Sequence, residues 1–416
     1  MRAVLSRWLE TIRTGFWFVP MVMLAASAAL ALLLLHLDRQ LDPGTKSIMD
    51  WAYSGGPEGA RSLLSTIAGS MITAASVTFS LASVALSIAS QQYGSRVLRN
   101  FMRDRITQVL LGTFVATFIY SVLVVRTIRG SDFSGGFVPA ISVTVAIALS
   151  LASLVLLIYF IHHVSASIQA SRIIRVIAED VEAAIPKLYP SETGEALDDA
   201  AAAEATKRRG TLTLFAEMSG YLQTVDLDTL MEEAERNDSI IKVLLKPGDH
   251  VLTGSPIAEV WGTASLPSEE KKKLIGYFYV DRERTPAQDI RYQFQQLTDV
   301  IVRALSPGIN DPFTAINGID ELAAAMLLFA QRPEITDRRQ DDKGALRLIV
   351  QSASAAELLR ATVGHIAIYA SSDYFVMDRL RRVLMSVRPI LTSSNDVAEV
   401  DALAAELTTL QRKDAE

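Results

Sequence analysis

The stretch from Phe16 to Leu37 runs for 22 residues without an acid or base except His36 near its end. A helix of that length crosses a hydrocarbon core about 30 Å thick, so the chain is expected to enter a membrane. A cleaved signal peptide is the competing reading, because Arg2, Arg7 and Arg13 precede the run and Ala25, Ala26 and Ala28 lie in it. The run is too long and stays apolar past those alanines, which favours an uncleaved anchor. Further charge-free stretches extend from Ser62 to Tyr93, from Ile106 to Val125 and from Phe133 to Ile161, the last supplying a span over about residues 138–161. The expectation is four transmembrane helices in residues 1–163. Beyond them the chain reads as a soluble α+β region.

Charge follows the same division. Residues 1–163 hold 12 Lys and Arg against 7 Asp and Glu, which leaves 28 against 39 for the rest. An acidic second part argues against nucleic-acid binding. The complete absence of cysteine removes disulfides, thiolate metal sites and cysteine nucleophiles. Orientation follows from basic residues in short loops. Arg2, Arg7 and Arg13, then Arg96, Arg99, Arg103 and Arg105, then Arg172 and Arg175 all fall on one side of a four-span topology. The positive-inside rule places that side, with both termini, in the cytoplasm.

The second span is the least apolar. Between Ser65 and Ser90 there are ten Ser and Thr, and eight form one series: Thr66, Ser70, Thr73, Ser76, Ser80, Ser83, Ser87 and Ser90. Their steps of three and four put them on one helix face. Two readings stand side by side. Small hydroxylated residues let helices pack closely in lipid. Alternatively, several copies of the span ring an axis and the seam lines a pore. No Asp, Glu, Lys or Arg lies inside any expected span, which argues against an ion-coupled transporter. After the seam, Arg96, Arg99 and Arg103 alternate with Val97, Leu98, Phe101 and Met102 as a short basic amphipathic helix. With Arg105 they either set orientation and touch anionic headgroups, or form a cationic collar at a pore mouth that favours anions.

After Ile161 the apolar period carries span four onward as a helix towards Pro186, with His162 and His163 as interfacial residues, and Pro190–Gly210 reads as a linker. From Thr211 short β-like runs appear: LTLF, GYLQTV, IIKVLL and PIAEVW, punctuated by KPGD and TGSP turns. The strings AEMSGYLQTVD and VLLKPGDHVLTGSPIAEV resemble the half-motif of biotinyl/lipoyl-type barrel-sandwich domains over about residues 213–261. That family's acceptor lysine has no counterpart, and DLDTLMEEAERND is inserted as a helix, so a β module over 211–280 without covalent cofactor is expected. Residues 281–416 read as a helical domain. One helix runs from Pro286, a second has Asp311 as N-cap and Pro312 at its first position, QRPEITDRRQDDKG is a charged loop, and Leu346–Tyr369, Tyr374–Val387 and Val397–Leu410 supply three more.

Taken together, SQQYGSRVLRNFMRDR after a hydroxyl-rich span, the KPGDHVLTG turn, and RTPAQDIRYQFQQLTDVIVRALSPGINDPFTA behind four front-loaded spans resemble the bacterial "predicted membrane protein" family, domain of unknown function 2254. The resemblance implies a bacterial inner-membrane protein and brings no catalytic residues with it. Asp289, Arg291, Asp299, Asn310 and Asp311 could form a polar constellation; caps and interhelix ion pairs are the plainer account. No nucleotide, metal-hydrolase or serine-hydrolase motif is present. The reading is therefore a non-enzymatic membrane protein without metal or cofactor. An oligomeric channel with span two lining its axis and the soluble region assembling or gating it comes first. A membrane-anchored interaction or sensor protein that binds a soluble partner is the alternative, and a membrane-bound enzyme the weaker one.

Overall fold

The computed structural model describes residues 17–40, 53–93, 104–129, 137–167, 169–189, 211–262, 265–332 and 338–413. The chain divides into two compact units, Met1–Gln169 and Ala170–Glu416.

In the first unit, four helices follow the apolar stretches: α1 (Phe18–Gln40), α2 (Pro57–Tyr93), α3 (Arg105–Val125) and α4 (Ala140–Ser167). Each starts or ends within a few residues of the expected span. The centre of the bundle is α3, which packs against the other three. Small and hydroxylated residues make this approach feasible. A Cβ on Gly112 would come within 2.6 Å of the Met23 sulfur and 3.2 Å of the Pro20 backbone. The Ser27 hydroxyl of α1 donates to the Ala116 carbonyl at 2.6 Å, the Thr117 and Ser153 hydroxyls meet at 3.3 Å, and Tyr120 OH donates to the Ser142 carbonyl at 3.0 Å. Interhelical hydroxyl bonds are worth about 0.6–2 kcal/mol each in lipid. Phe114, Phe160, Leu110 and Ala75 close one apolar cluster; Leu64, Tyr120, Val124 and Val143 close another. Leu32, Leu33, Phe79, Val155 and Ile158 point outward, as a lipid-facing surface requires.

Span four does not run on as expected. The helix stops at Ser167 and a new one, α5 (Ala170–Leu188), belongs to the second unit. The expected linker, 190–210, lies outside the described residues.

In the second unit, α5 buries Ile173, Ile174, Ile177, Val181 and Ile185, and its neighbours there are the helices Ile290–Ala304 and Pro312–Ala330. The strands β1 (Thr211–Phe215) and β2 (Gly220–Val225), helix α6 (Leu227–Arg236), and strands β3 (Ile240–Val243), β4 (His250–Val251) and β5 (Pro256–Trp261) follow the β-like runs. Helix α7 (Ser268–Ile275) and strand β6 (Phe278–Asp281) complete this stretch. Beyond it come α8 (Ile290–Ala304), α9 (Pro312–Ala330), β7 (Arg338–Gln340) and β8 (Leu346–Ile349). The helices α10 (Ala355–Leu359) and α11 (His365–Ala370) are joined by a π-helical turn, Arg360–Gly364, and α12 (Tyr374–Val387) and α13 (Ser394–Lys413) end the unit.

Two sheets result, ordered β1-β5-β3-β8-β7 and β4-β2-β6. The helix expected from Leu346 begins instead as strand β8, and the charged loop before it contains β7. Parallel pairing of Ile241 with Leu348 explains the difference: it buries Leu346 and Leu348 against the module, a tertiary gain that outweighs local helix propensity. Residues 281–416 are therefore not wholly helical; part of them completes the sheet of the preceding module.

Among the described residues five helices are long and apolar enough to cross a membrane: α1 to α4 and, in the second unit, α9. In α9 the residues Ala315, Ile319, Leu322, Ala325, Met326 and Phe329 are buried inside its own unit, and a Cβ on Gly318 would meet Ile301 of α8 at 2.5 Å.

Candidate functional site

The hydroxyl series of α2 faces away from the bundle. The side of α2 that packs inside the chain carries Ala60, Leu64, Ala68, Ala75, Thr78 and Ala85, all buried. Alanine does there what the hydroxylated residues were weighed for, because a methyl is small enough for close helix approach and carries no polar atom to satisfy. Thr66, Ser70, Thr73, Ser76, Ser80, Ser83 and Ser87 are all exposed; Ser90 lies in the helix, but its side chain is outside the described residues. Within the single chain, then, the seam is not the face on which α2 packs.

A groove of about 620 Å³ runs along the upper part of the seam, lined by Thr66, Gly69, Ser70, Thr73, Ala74 and Val77 of α2 and by Leu157 of α4. No side chain projects from Gly69, and nothing lies within 4 Å of where a Cβ would stand. Three hydroxyls of the seam bond back to their own helix: Thr66 to the Ser62 carbonyl at 2.8 Å, Thr73 to Gly69 at 2.9 Å and Ser76 to Ile72 at 2.9 Å.

The helix ends around this surface are held by two carboxylates. Asp38, at the end of α1, is 1% exposed and accepts from the Ile141 and Ser142 amides at 3.1 and 3.0 Å and from the Ser142 hydroxyl at 2.6 Å. It caps α4 from another helix, where partial positive charge favours an anion. Asp104 caps its own helix α3 through the Ile106 and Thr107 amides and the Thr107 hydroxyl, and it meets His163 of α4 at 3.0 Å. His163 is therefore a buried tie between two helices. Arg105 follows as an exposed residue in the first turn of α3; Arg96, Arg99 and Arg103 lie outside the described residues.

The second polar constellation sits in the second unit. Asp289 caps α8 by accepting from the Tyr292 amide at 2.9 Å, and Arg284 reaches the same carboxylate at 2.7 and 2.9 Å. Burial pushes its carboxyl above the ordinary range, while the Tyr292 amide and Arg284 pull the other way. Arg291 donates to Asp249 at 2.6 Å, to the Pro247 carbonyl at 3.0 Å and to Glu357 at 3.3 Å, and Lys246 pairs with Glu357 at 2.6 Å. The KPGD turn is thereby fastened to the start of α8. Three cations and three carboxylates balance there. Close by, the Tyr189 hydroxyl accepts from the Ala353 amide at 3.3 Å, and burial pushes that phenol up to about 12. The Gln288 amide bonds Val225 N–H at 2.9 Å and the Val225 carbonyl at 3.2 Å, the pair of bonds a neighbouring strand would make.

Asp311 caps α9 through Thr314, whose hydroxyl and amide hold its carboxyl below the usual range. Asn310 takes the left-handed conformation at φ 49° that the tight connection requires. Asp299 lies in α8, one helix turn from neither cap, so the structure does not gather these five residues into one site. Each capping residue has a structural occupation. Sequence reasoning named Asp289, Arg291 and Asp311 but missed Asp38, Asp104, Lys246 and Glu357; only Asp104 carried a signal, an aspartate three residues before Thr107 at a helix start. Among the described residues no cluster of three or more His, Asp or Glu could hold a metal ion.

Comparison with known proteins agrees with the bundle. The family model described as "predicted membrane protein (DUF2254)" matches residues 13–386. An uncharacterized protein of Mycobacterium bovis and its counterparts in two strains of Mycobacterium tuberculosis are each 32% identical to the chain over 369 residues, which is 88% of this chain and 70% of theirs. No solved structure matches.

Proposed function

We propose, from the premise that the chain belongs to the predicted membrane protein family DUF2254, that it is an oligomeric channel for ions or small solutes. In this reading α1 to α4 cross the bacterial inner membrane, both termini are cytoplasmic, and α9 is a core helix of the soluble region. Copies of α2 surround an axis with Thr66, Ser70, Thr73, Ser76, Ser80, Ser83 and Ser87 towards it, and Arg105 stands at its cytoplasmic mouth.

The observation that carries the reading is the outward-facing seam. Seven described hydroxyls lie opposite the face that α2 uses within the chain. A hydroxylated face turned to lipid gains nothing over an apolar one, whereas water or a neighbouring subunit rewards it.

The chain's lack of cysteine supplies the test. Single cysteines at Ser76, Ser80 and Ser83 should react with a membrane-impermeant thiol reagent in vesicles, and cysteines at the flanking exposed positions Ile72, Phe79 and Leu81 should not. Equal protection of both sets, or a protein that is monomeric in nanodiscs, would overturn the proposal.

A second reading, a membrane-anchored protein that binds a soluble partner without conducting, has one observation in its favour. Tyr369, Tyr374 and Phe375 stand exposed on one corner of the second unit, and aromatic side chains are enriched in protein interfaces. Stoichiometric co-purification of such a partner, with no conductance, would select it.

A further inference from the structure

We infer that the seam selects cations and neutral hydrogen-bond donors over anions; this rests on the channel reading above and names the class of species it would pass.

The argument concerns where the hydroxyl hydrogens are. A hydroxyl has one hydrogen to donate and two lone pairs to accept with. In Thr66, Thr73 and Ser76 that hydrogen is committed to the carbonyl one turn back, at 2.8, 2.9 and 2.9 Å. What these exposed residues present outward is therefore oxygen alone. A hydroxyl that donates also becomes a better acceptor, because hydrogen bonds in series polarise one another. A cation or a donor such as water or ammonium finds lone pairs at three successive levels of the helix. An anion, which must be met by N–H or O–H groups, finds none on these three side chains.

The surroundings leave this polarity unopposed. Gly69, between Thr66 and Thr73 in the same groove, offers no side chain, and Ala74, Val77 and Leu157 complete the groove without a donor. Ser70 forms no such back-bond among the described hydrogen bonds and can turn either way. No Lys or Arg lies in the sequence from Ser62 to Tyr93. The selectivity expected at the seam is thus opposite to that expected from the arginine collar, and the two are separable by measurement.

The test uses the full-length protein reconstituted in bilayers under a KCl gradient, with reversal potential as the readout. Reversal on the potassium side, moved towards zero in a Thr66→Val, Thr73→Val, Ser76→Ala variant, is the expected result. Thr→Val keeps the side-chain shape and removes only the oxygen, and all three positions are exposed, so the variant should fold; its helix content by circular dichroism checks this. Reversal on the chloride side, or a potassium preference that the variant leaves unchanged, would overturn the inference while leaving a channel standing. Absence of any conductance from correctly folded oligomers would instead remove the channel reading, and the selectivity inference with it.

Discussion

Replacing Gly248 by alanine should damage the second unit far more than replacing Gly254, although both glycines sit in turns of the same β module with positive φ, 92° and 82°. At either position an alanine in the left-handed region costs about 1–2 kcal/mol. At Gly254 nothing lies within 4 Å of the new methyl, so the cost ends there. At Gly248 the methyl would stand 2.0 Å from Asp289 Oδ2 and 2.8 Å from Oδ1. The carboxylate must then leave the Tyr292 amide and the Arg284 guanidinium. Loss of the helix cap costs about 1 kcal/mol. Mispairing a buried charge adds about 3 kcal/mol. The total is roughly 5 kcal/mol, against about 1–2 for Gly254→Ala. For a unit of this size about 1 kcal/mol shifts Tm by roughly 2–4 °C, which predicts a gap between the two variants of roughly 10 °C. Thermal unfolding of the full chain in detergent, followed by circular dichroism, measures it. Equal Tm losses would show that the KPGD turn is not seated on Asp289 and would refute the account of how the module is joined to α8.

Asp38→Ala should remove the cap of α4 and lower stability by about 1–2 kcal/mol, with Asp38→Asn losing less because its amide oxygen still accepts; a differential scanning comparison in detergent that ranks them equal would contradict the cap. Glu233 gives a pH-dependent case. Lys273, then Arg236, hold its carboxyl below its ordinary 4.5, so the stabilisation from this pairing is present above pH 4.5 and is lost as pH falls through the lowered value. Tm of wild type minus that of Glu233→Gln should therefore shrink on acidification below pH 4.5, and a difference that stays constant or grows would refute the assignment.

The helices α1 to α4 were legible because each follows a long charge-free run. The one-faced hydroxyl series was equally legible, since periodicity places residues on a helix face without knowledge of neighbours. Which way that face points was not, because the answer lies in the alanines between the hydroxyls: Ala68, Ala75 and Ala85 look unremarkable in sequence and are what the bundle buries. Strand β8 was misread as a helix start, since LRLI carries no local mark of the parallel partner, Ile241, more than a hundred residues earlier. The cap residues Asp311 and Pro312 were readable because capping is local. Asp38 was not, because it caps a helix it does not belong to.

That cross-helix cap sets an order on assembly. The chain emerges from the ribosome N-terminus first. Asp38 is therefore delivered early, at the end of α1, and waits until Ile141, 103 residues later, brings the amides that satisfy its carboxylate. Until then water is its best partner. Arrival of α4 exchanges that water for the Ser142 hydroxyl and two amides. The end of α1 is thus not satisfied within the fold until the start of α4 has been made.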